Sequence, residues 1–220
     1  MTTPERYEVP PERLERWLER WADLHGGVVR TRFGAERVTL EAEDGAQLHC
    51  DPPFAPLPPR GAGVHDGLHA APLLDHVRRD RVVAVLLVRL GGHAAGVFSG
   101  RRLVDSKVGT RNVHGRNKAG GQSQRRFERR REGQARIAME AAADVAARII
   151  LPHRADLDAL VLGGDRHAVA EVLSDPRLRP LRRLVVEGVL DVPDPRLAVL
   201  KTTPDRFLAT RLTIREPPPS

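Results

Sequence analysis

Residues 81–89 read RVVAVLLVR, and this run decides the fold. The positions between its two arginines are β-branched, leucine or alanine, which is typical of a strand buried on both faces of a sheet. A Gly-Gly pair predicts a turn after it, and residues 93–99 then read as a second strand. Gly100 predicts another turn into a third strand over residues 102–108. The sequence therefore predicts a three-stranded meander.

A long helix is predicted beyond the meander, over residues 125–150, where an alanine-rich run favours helix and Pro152 ends it. A short strand (157–162), a helix (167–173) and another strand (184–189) follow. This order predicts an α/β domain with a mixed sheet and flanking helices. The expected inner stripe of the long helix comprises Phe127, Gln134, Ile137, Ala141, Val145 and Ile149.

The N-terminal region predicts a small α+β segment. Residues 10–24 form an amphipathic pattern, and Asp44-Gly45 predicts a hairpin turn between alternating runs. Four apolar side chains recur at helical spacing and are expected in the core: Leu14, Trp17, Trp21 and Leu24. Three strands are expected, over residues 28–33, 37–43 and 47–51.

A proline-rich stretch over residues 52–63 cannot continue a sheet, so the first domain boundary is expected there. Residues 191–200 and 203–211, which contain or adjoin prolines, are expected to be helical or turn segments. The predicted organisation is an N-terminal helix with short strands (1–62), a linker or helix (63–80), a catalytic domain (81–213) and a tail (214–220).

The composition is that of a soluble globular protein, with 40% hydrophobic and 30% charged residues among 220. No apolar run approaches the roughly 20 residues of a bilayer span, and the N-terminus lacks a secretory pattern. We therefore expect a cytoplasmic protein with no membrane partner. The single Cys50 excludes an internal disulfide and a cysteine zinc cluster, and the histidines lack metal-ligand spacing. Neither a cofactor nor a metal is predicted.

The positive charge is concentrated in one segment. Residues 101–136 hold twelve Lys and Arg against three acids, a net charge of +9 in a chain whose total is +7. The remainder therefore sums to −2. A local basic patch of this kind attracts polyanions, although a solvated, arginine-rich helix face is the alternative interpretation.

That segment contains GTRNVHGRNKAGGQSQRRFERRREGQ at residues 109–134. Gly120 and Gly121 permit backbone angles closed to other residues and let the main chain approach a substrate. Gln122 does not titrate, so it cannot be a general base. It can position a water molecule and donate a hydrogen bond to a developing oxyanion. This chemistry suits an RNA-linked ester or phosphodiester.

The motif order resembles the middle domain of eukaryotic and archaeal class I peptide release factors. His114-Gly115-Arg116 precedes Gly-Gly-Gln-Ser at residues 120–123, and Arg126-Phe127 and Arg129 follow. Residues 157–165, LDALVLGGD, are similar to the next strand and turn of that family, and the resemblance spans about residues 81–189. Asn117-Lys118-Ala119 lengthens the approach to Gly-Gly-Gln relative to the family pattern, and we expect no stop-codon-reading domain in the 60 or so residues before it.

These departures make the chain most similar to the actinobacterial branch of the Vms-like release-factor family, peptidyl-tRNA hydrolases that rescue stalled ribosomes. The resemblance implies an RNase H-like core whose glutamine loop reaches the acceptor end of peptidyl-tRNA on the large ribosomal subunit. It implies hydrolysis of the ester with Gln122 as the positioning residue beside Gly120 and Gly121.

Other candidate residues surround the motif. Phosphate contacts are expected from the basic side chains of Arg111, Arg116, Lys118, Arg125, Arg126, Arg129 and Arg130. Arg126 and Arg129 can instead brace the loop. His114 and Ser123 are either catalytic or bracing residues, and a histidine of ordinary pKa can act as an acid–base near neutrality. Gly163-Gly164-Asp165 gives a weak phosphate-binding signal.

Two other functions use the same residues. Vms-like proteins are also linked to endonucleolytic removal of the tRNA 3′ acceptor end, with the 2′-hydroxyl as nucleophile. A non-catalytic module that binds the ribosome or tRNA would need only the basic surface.

Overall fold

The computed structural model describes residues 4–59, 61–89, 92–110 and 123–216, with the backbone alone at 110 and 123–132. The strands are β1 (Glu5–Val9), β2 (Val28–Phe33), β3 (Val38–Ala42), β4 (Gln47–Asp51), β5 (Gly63–Asp66), β6 (Val82–Arg89), β7 (Gly92–Ser99), β8 (Arg102–Thr110), β9 (Ala159–Gly164), β10 (Val185–Leu190) and β11 (Thr210–Arg215). The helices are α1 (Pro11–Leu24), α2 (Ala71–Arg78), α3 (Ser123–Ile150), α4 (Arg166–Leu173), α5 (Leu197–Thr202) and α6 (Pro204–Phe207). Short 3-10 segments span Leu151–His153 and Pro176–Leu184. Among these described helices, none combines the length and apolar character needed to cross a membrane.

The chain divides into two compact units. The N-terminal unit comprises Met1–Arg79 together with Pro204–Ser220, and the central unit comprises Asp80–Thr203. The expected boundary within the proline-rich stretch differs from this division. Leu57 in that stretch is buried, and its N–H donates to the carbonyl of Ala35, so the stretch belongs to the N-terminal core.

The N-terminal unit is a six-stranded antiparallel sheet in the order β1-β11-β4-β3-β2-β5. Helices α1 and α2 contribute to one apolar core with a single face of this sheet. The three strands expected from the sequence are confirmed. The Asp44-Gly45 turn is also confirmed, since Asp44 accepts from the Ala46 N–H and Gly45 has a φ of 89°.

Parts of the N-terminal prediction are wrong. Leu24 is 72% exposed at the end of α1, whereas Leu18, one turn earlier, is fully buried. Residues 203–211 contain helix α6 (Pro204–Phe207), as expected, but strand β11 begins at Thr210 and runs through Arg215, into the region 214–220 that was expected to be a tail. It lies between β1 and β4, so it belongs to the N-terminal unit and not to a domain extending to residue 213. Residues 63–80 were expected to be a linker or helix; residues 63–66 instead form β5, which pairs with β2, and α2 follows at Ala71–Arg78.

The central unit holds a five-stranded mixed sheet in the order β10-β9-β6-β7-β8. Strands β6, β7 and β8 form the predicted antiparallel meander, while β9 is parallel to β6 and β10 is parallel to β9. This is the strand order of an RNase H-like fold, so the predicted fold class is confirmed.

Helix α3 packs on this sheet through small side chains. Ala138, Ala142 and Ala146 lie at successive turns and share a core with β6, β7 and β9. The predicted stripe has the wrong phase, because Ile137 is 41% exposed. Only Ile149 of its described members is buried. Alanines on the inner face let the backbone of a 28-residue helix approach the sheet closely.

Candidate functional site

The structure describes the two anchors of the Gly-Gly-Gln segment. Strand β8, at the edge of the central sheet, ends at Thr110, and α3 begins at Ser123. The predicted site residues between them lie outside the described residues: Arg111, His114, Arg116, Lys118, Gly120, Gly121 and Gln122. Only the backbone is described for the helical candidates Ser123, Arg125, Arg126, Arg129 and Arg130. Their functional roles stay predictions.

The root of the segment is a close contact between two strands. His93 on β7 is the register partner of Gly109 on β8, one residue before the end of β8. A Cβ placed on Gly109 would lie 2.6 Å from His93 Cε1 and 3.1 Å from its Cδ2, so the imidazole occupies the space above Gly109. His93 is buried, and this burial lowers its pKa. A neutral imidazole therefore covers the point where the chain leaves the sheet.

Sequence reasoning missed His93. The sequence does contain a signal, since Gly109 lies opposite the bulky His93 on the neighbouring strand. Recognising that pair requires the strand register, which turn residues alone do not give.

The opposite half of α3 is braced by charged side chains. Arg177 bonds Asp144 on α3 at 2.8 Å and Asp175 at 2.7 Å. These two carboxylates raise the pKa of Arg177, so the cation is permanent. Near the end of the helix, His153 lies 3.8 Å from Asp105 on β8. The Arg177–Asp144 pair links α3 to the 3-10 segment Pro176–Leu184, and the His153–Asp105 pair links the segment after α3 to β8. Since these pairs are partly exposed, each contributes little stability.

The Gly163-Gly164-Asp165 turn is a helix start and not a phosphate cradle. Asp165 accepts a 2.9 Å hydrogen bond from the Ala168 N–H and caps α4. A carboxylate already occupies the donors that a phosphate would use. Gly164 has a φ of 99°, and a Cβ there would run into the Val88 carbonyl oxygen. The glycine is required by the close approach of β9 to β6.

Metal chemistry has no support in the described part of the chain, where no three His, Cys, Asp or Glu side chains gather as a possible ligand set. Cys50 is fully buried, and burial raises the pKa of its thiol, so the thiol is not poised for nucleophilic chemistry.

An RNase H-like sheet whose edge strand leads through Gly-Gly-Gln into a long helix defines a release-factor-like domain. Residues 81–213 match the family model acVLRF1, described as Actinobacteria/chloroflexi VLRF1 release factor. The match covers more than half of the chain, so the chain belongs to this family.

Curated relatives include archaeal proteins described as peptide chain release factor subunit 1. The protein from Thermococcus onnurineus is 31% identical over 123 residues, which cover 55% of this chain and 30% of the relative. The protein from Pyrococcus abyssi is 28% identical over the same shares. The chain therefore spans less than a third of the length of these relatives.

Solved structures give weaker similarities. The archaeal translation termination factor aRF1 is 14% identical with a TM-score of 0.45, covering 92% of this chain and 66% of that chain. Archaeoglobus fulgidus Pelota is 11% identical with a TM-score of 0.32, covering 93% of this chain and 64% of that chain. The fold assignment rests on the strand order and not on these scores.

Proposed function

We propose that this protein is a ribosome-associated peptidyl-tRNA hydrolase of the cytoplasm that releases nascent chains from stalled large subunits. One observation carries the proposal. The Gly-Gly-Gln segment joins the edge strand of the central sheet to a 28-residue helix, inside the region that matches the release-factor family. Family membership supports a role in translation termination or rescue, and the motif supports the ester as the bond that is cleaved.

In this proposal Gln122 positions the attacking water and donates a hydrogen bond to the developing oxyanion. A glutamine amide neither gains nor loses a proton near neutrality, so it acts by geometry and polarity alone. Loss of one such donor costs about 2.7–4 kcal/mol in hydrolases, which is about 10²–10³ in rate. The remaining acceleration would come from the ribosomal site and the tRNA.

The long helix is suited to present basic residues to the tRNA. At 100° per residue, positions 125, 126, 129 and 130 fall within about 140° of arc on α3. The buried positions 138, 142 and 146 lie on the other side of the same helix. Positions 126, 129 and 130 therefore lie on a face that the core does not use, whereas position 125 has the same direction as the buried Ala143, five turns later. The placement of 126, 129 and 130 supports phosphate contacts along the acceptor stem.

The decisive experiment adds purified protein to large subunits carrying a stalled peptidyl-tRNA and measures the released nascent chain. Gln122→Ala should lower the rate of release by about 10²–10³. The matched control is Gln124→Ala, which removes an amide two residues away and should retain release. Equal release by wild type and Gln122→Ala would reject the assignment.

The state of the tRNA end separates the remaining functions. An intact CCA terminus after release indicates ester hydrolysis, whereas a shortened terminus indicates endonucleolytic cleavage. Tight binding to the subunit with no change in either bond indicates a non-catalytic module.

A further inference from the structure

The six-stranded sheet of the N-terminal unit has a second face that its helices do not cover. Side chains alternate along each strand, so Leu212 and Ile214 of β11 are buried with α1 and α2. Their neighbours Arg211 and Arg215 are exposed on the other face. The same alternation leaves Arg6, Arg30 and Arg32 exposed there. We call this surface the open face.

The strand register aligns polar residues across the open face. Arg6, Thr213, His49, Thr39 and Arg32 are successive cross-strand partners on β1, β11, β4, β3 and β2. At about 4.8 Å between strands, this row spans about 19 Å. These five side chains are polar or charged, and the next partner in register, Val64 of β5, is an exposed apolar side chain at the edge of the sheet. One apolar side chain at the edge does not form the surface of an apolar protein partner.

Charge is distributed unevenly along the row. On the β2–β3 side, Arg30 and Arg32 each lie 3.7 Å from Glu41, which offsets one of the two charges, and Asp66 of β5 is the register partner of Arg30. Arg37 and Asp51 form a further pair at 2.6 Å. The arginines of this half are therefore largely neutralised.

The β1–β11 side is different. Within the described residues, Arg6, Arg211 and Arg215 have no ion pair within 4.0 Å. By register, Arg211 lies between Glu8 of β1 and Asp51 of β4, and Asp51 is already paired with Arg37. We call Arg6, Arg211 and Arg215 the β11 arginine cluster. Arg211 and Arg215 flank Thr213 on one strand, about 13 Å apart, and Arg6 lies opposite Thr213. The positive charge of this region also affects a neighbouring side chain. Burial lowers the pKa of His49, and the charges of Arg215 and Arg37 lower it further.

We propose that the β11 arginine cluster binds the sugar–phosphate backbone of double-helical RNA. Exposed guanidinium groups in excess over the carboxylates beside them match phosphates, and the lack of stacking aromatics disfavours recognition of single-stranded bases. The contact is non-specific in sequence and strongly dependent on salt. It assigns an RNA-binding surface to the N-terminal unit, in addition to the basic segment proposed between β8 and α3.

The test measures binding of the full chain to a fluorescent RNA duplex of about 20 base pairs as the salt concentration is varied. A triple variant, Arg6→Gln, Arg211→Gln and Arg215→Gln, should weaken binding about tenfold or more near 150 mM salt. It should reduce the slope of log K against log salt by about two to three units. The matched control is Arg13→Gln, Arg16→Gln and Arg20→Gln, the same charge change on exposed positions of α1.

Both triple variants must retain native fluorescence from Trp17 and Trp21, which report on the N-terminal core. Equal affinities and slopes for the two triple variants overturn the proposal. Displacement of the duplex by polyglutamate as readily as by unlabelled duplex also overturns it, because the site would then accept any polyanion. This test does not depend on the proposed hydrolysis. Gln122→Ala should bind the duplex as wild type does, so failure of the hydrolysis proposal would leave the binding result unchanged.

Discussion

The imidazole of His93 lies over the Cα of Gly109, and the two residues are partners in the β7–β8 register at the point where the chain leaves the central sheet. A side chain at position 109 and the histidine ring cannot occupy the same space. This contact near the end of β8 gives the first prediction.

Gly109→Ala should destabilise the central unit by about 1–3 kcal/mol, because the added methyl must displace a buried ring. The matched control is Gly133→Ala. Position 133 lies inside α3 with nothing within 4 Å of an added Cβ. The free energy of unfolding of that variant should therefore rise by about 0.5–1 kcal/mol. Urea unfolding of both variants gives the comparison. Combining Gly109→Ala with His93→Ala should recover part of the loss, and strict additivity of the two changes would contradict the contact.

His93 should make stability depend on pH in a defined window. Burial lowers its pKa in the folded state below the ordinary value near 6.5, so the unfolded chain binds the proton more readily. Its contribution to stability is complete above about pH 6.5 and is lost as the pH falls below that value. Unfolding midpoints measured between about pH 7.5 and 5.5 should fall less in His93→Gln than in wild type. His49→Gln is the control for the other histidine with a lowered pKa. An unchanged slope in His93→Gln would count against a buried neutral ring.

The Asp165 cap yields a prediction on the start of α4. Asp165→Ala should lower the free energy of unfolding by about 1 kcal/mol, because the Ala168 N–H loses its hydrogen-bond partner. Asp165→Asn keeps an acceptor and should leave the free energy of unfolding nearly unchanged. Calorimetry of the two variants distinguishes a cap from a phosphate site. If phosphate raised the melting temperature of wild type but not of Asp165→Ala, the cap would not be the role of this residue.

The sequence predicted the central fold more completely than the N-terminal one, for reasons visible in particular residues. Uninterrupted apolar runs and glycine turns identify the meander of β6 to β8, and Asp44-Gly45 identifies a hairpin, because those signals are local. The phase of α3 was missed because alanine occupies both its inner and outer positions, including Ala141 beside Ala142, so hydrophobic periodicity is weak. Leu24 fits the periodic pattern of α1 but falls on its last residue, where little packs against it.

Strand β11 shows a different limit. Its residues alternate as a half-buried strand should, with Leu212 and Ile214 inward and Arg211 and Arg215 outward. No local sequence signal indicates that its partners are β1 and β4, which lie more than 150 residues earlier in the chain. The motif order led to the Gly-Gly-Gln assignment, whereas His93 emerged only from the register, and the roles of the residues between β8 and α3 stay predictions.

A chain ending after Thr203 tests this long-range pairing. The truncation removes β11, so β1 loses its partner and β4 becomes an edge strand, while the central unit keeps all five of its described strands. The N-terminal core should therefore unfold although its helices remain in the sequence. The thiol of Cys50, fully buried in the intact chain, should then react with a maleimide without denaturant, whereas the intact chain should react only on unfolding. Cys50→Ala controls for labelling at other groups, and far-ultraviolet circular dichroism should show that the secondary structure of the central unit persists. A truncated chain whose thiol stayed protected would mean that the N-terminal sheet forms without β11.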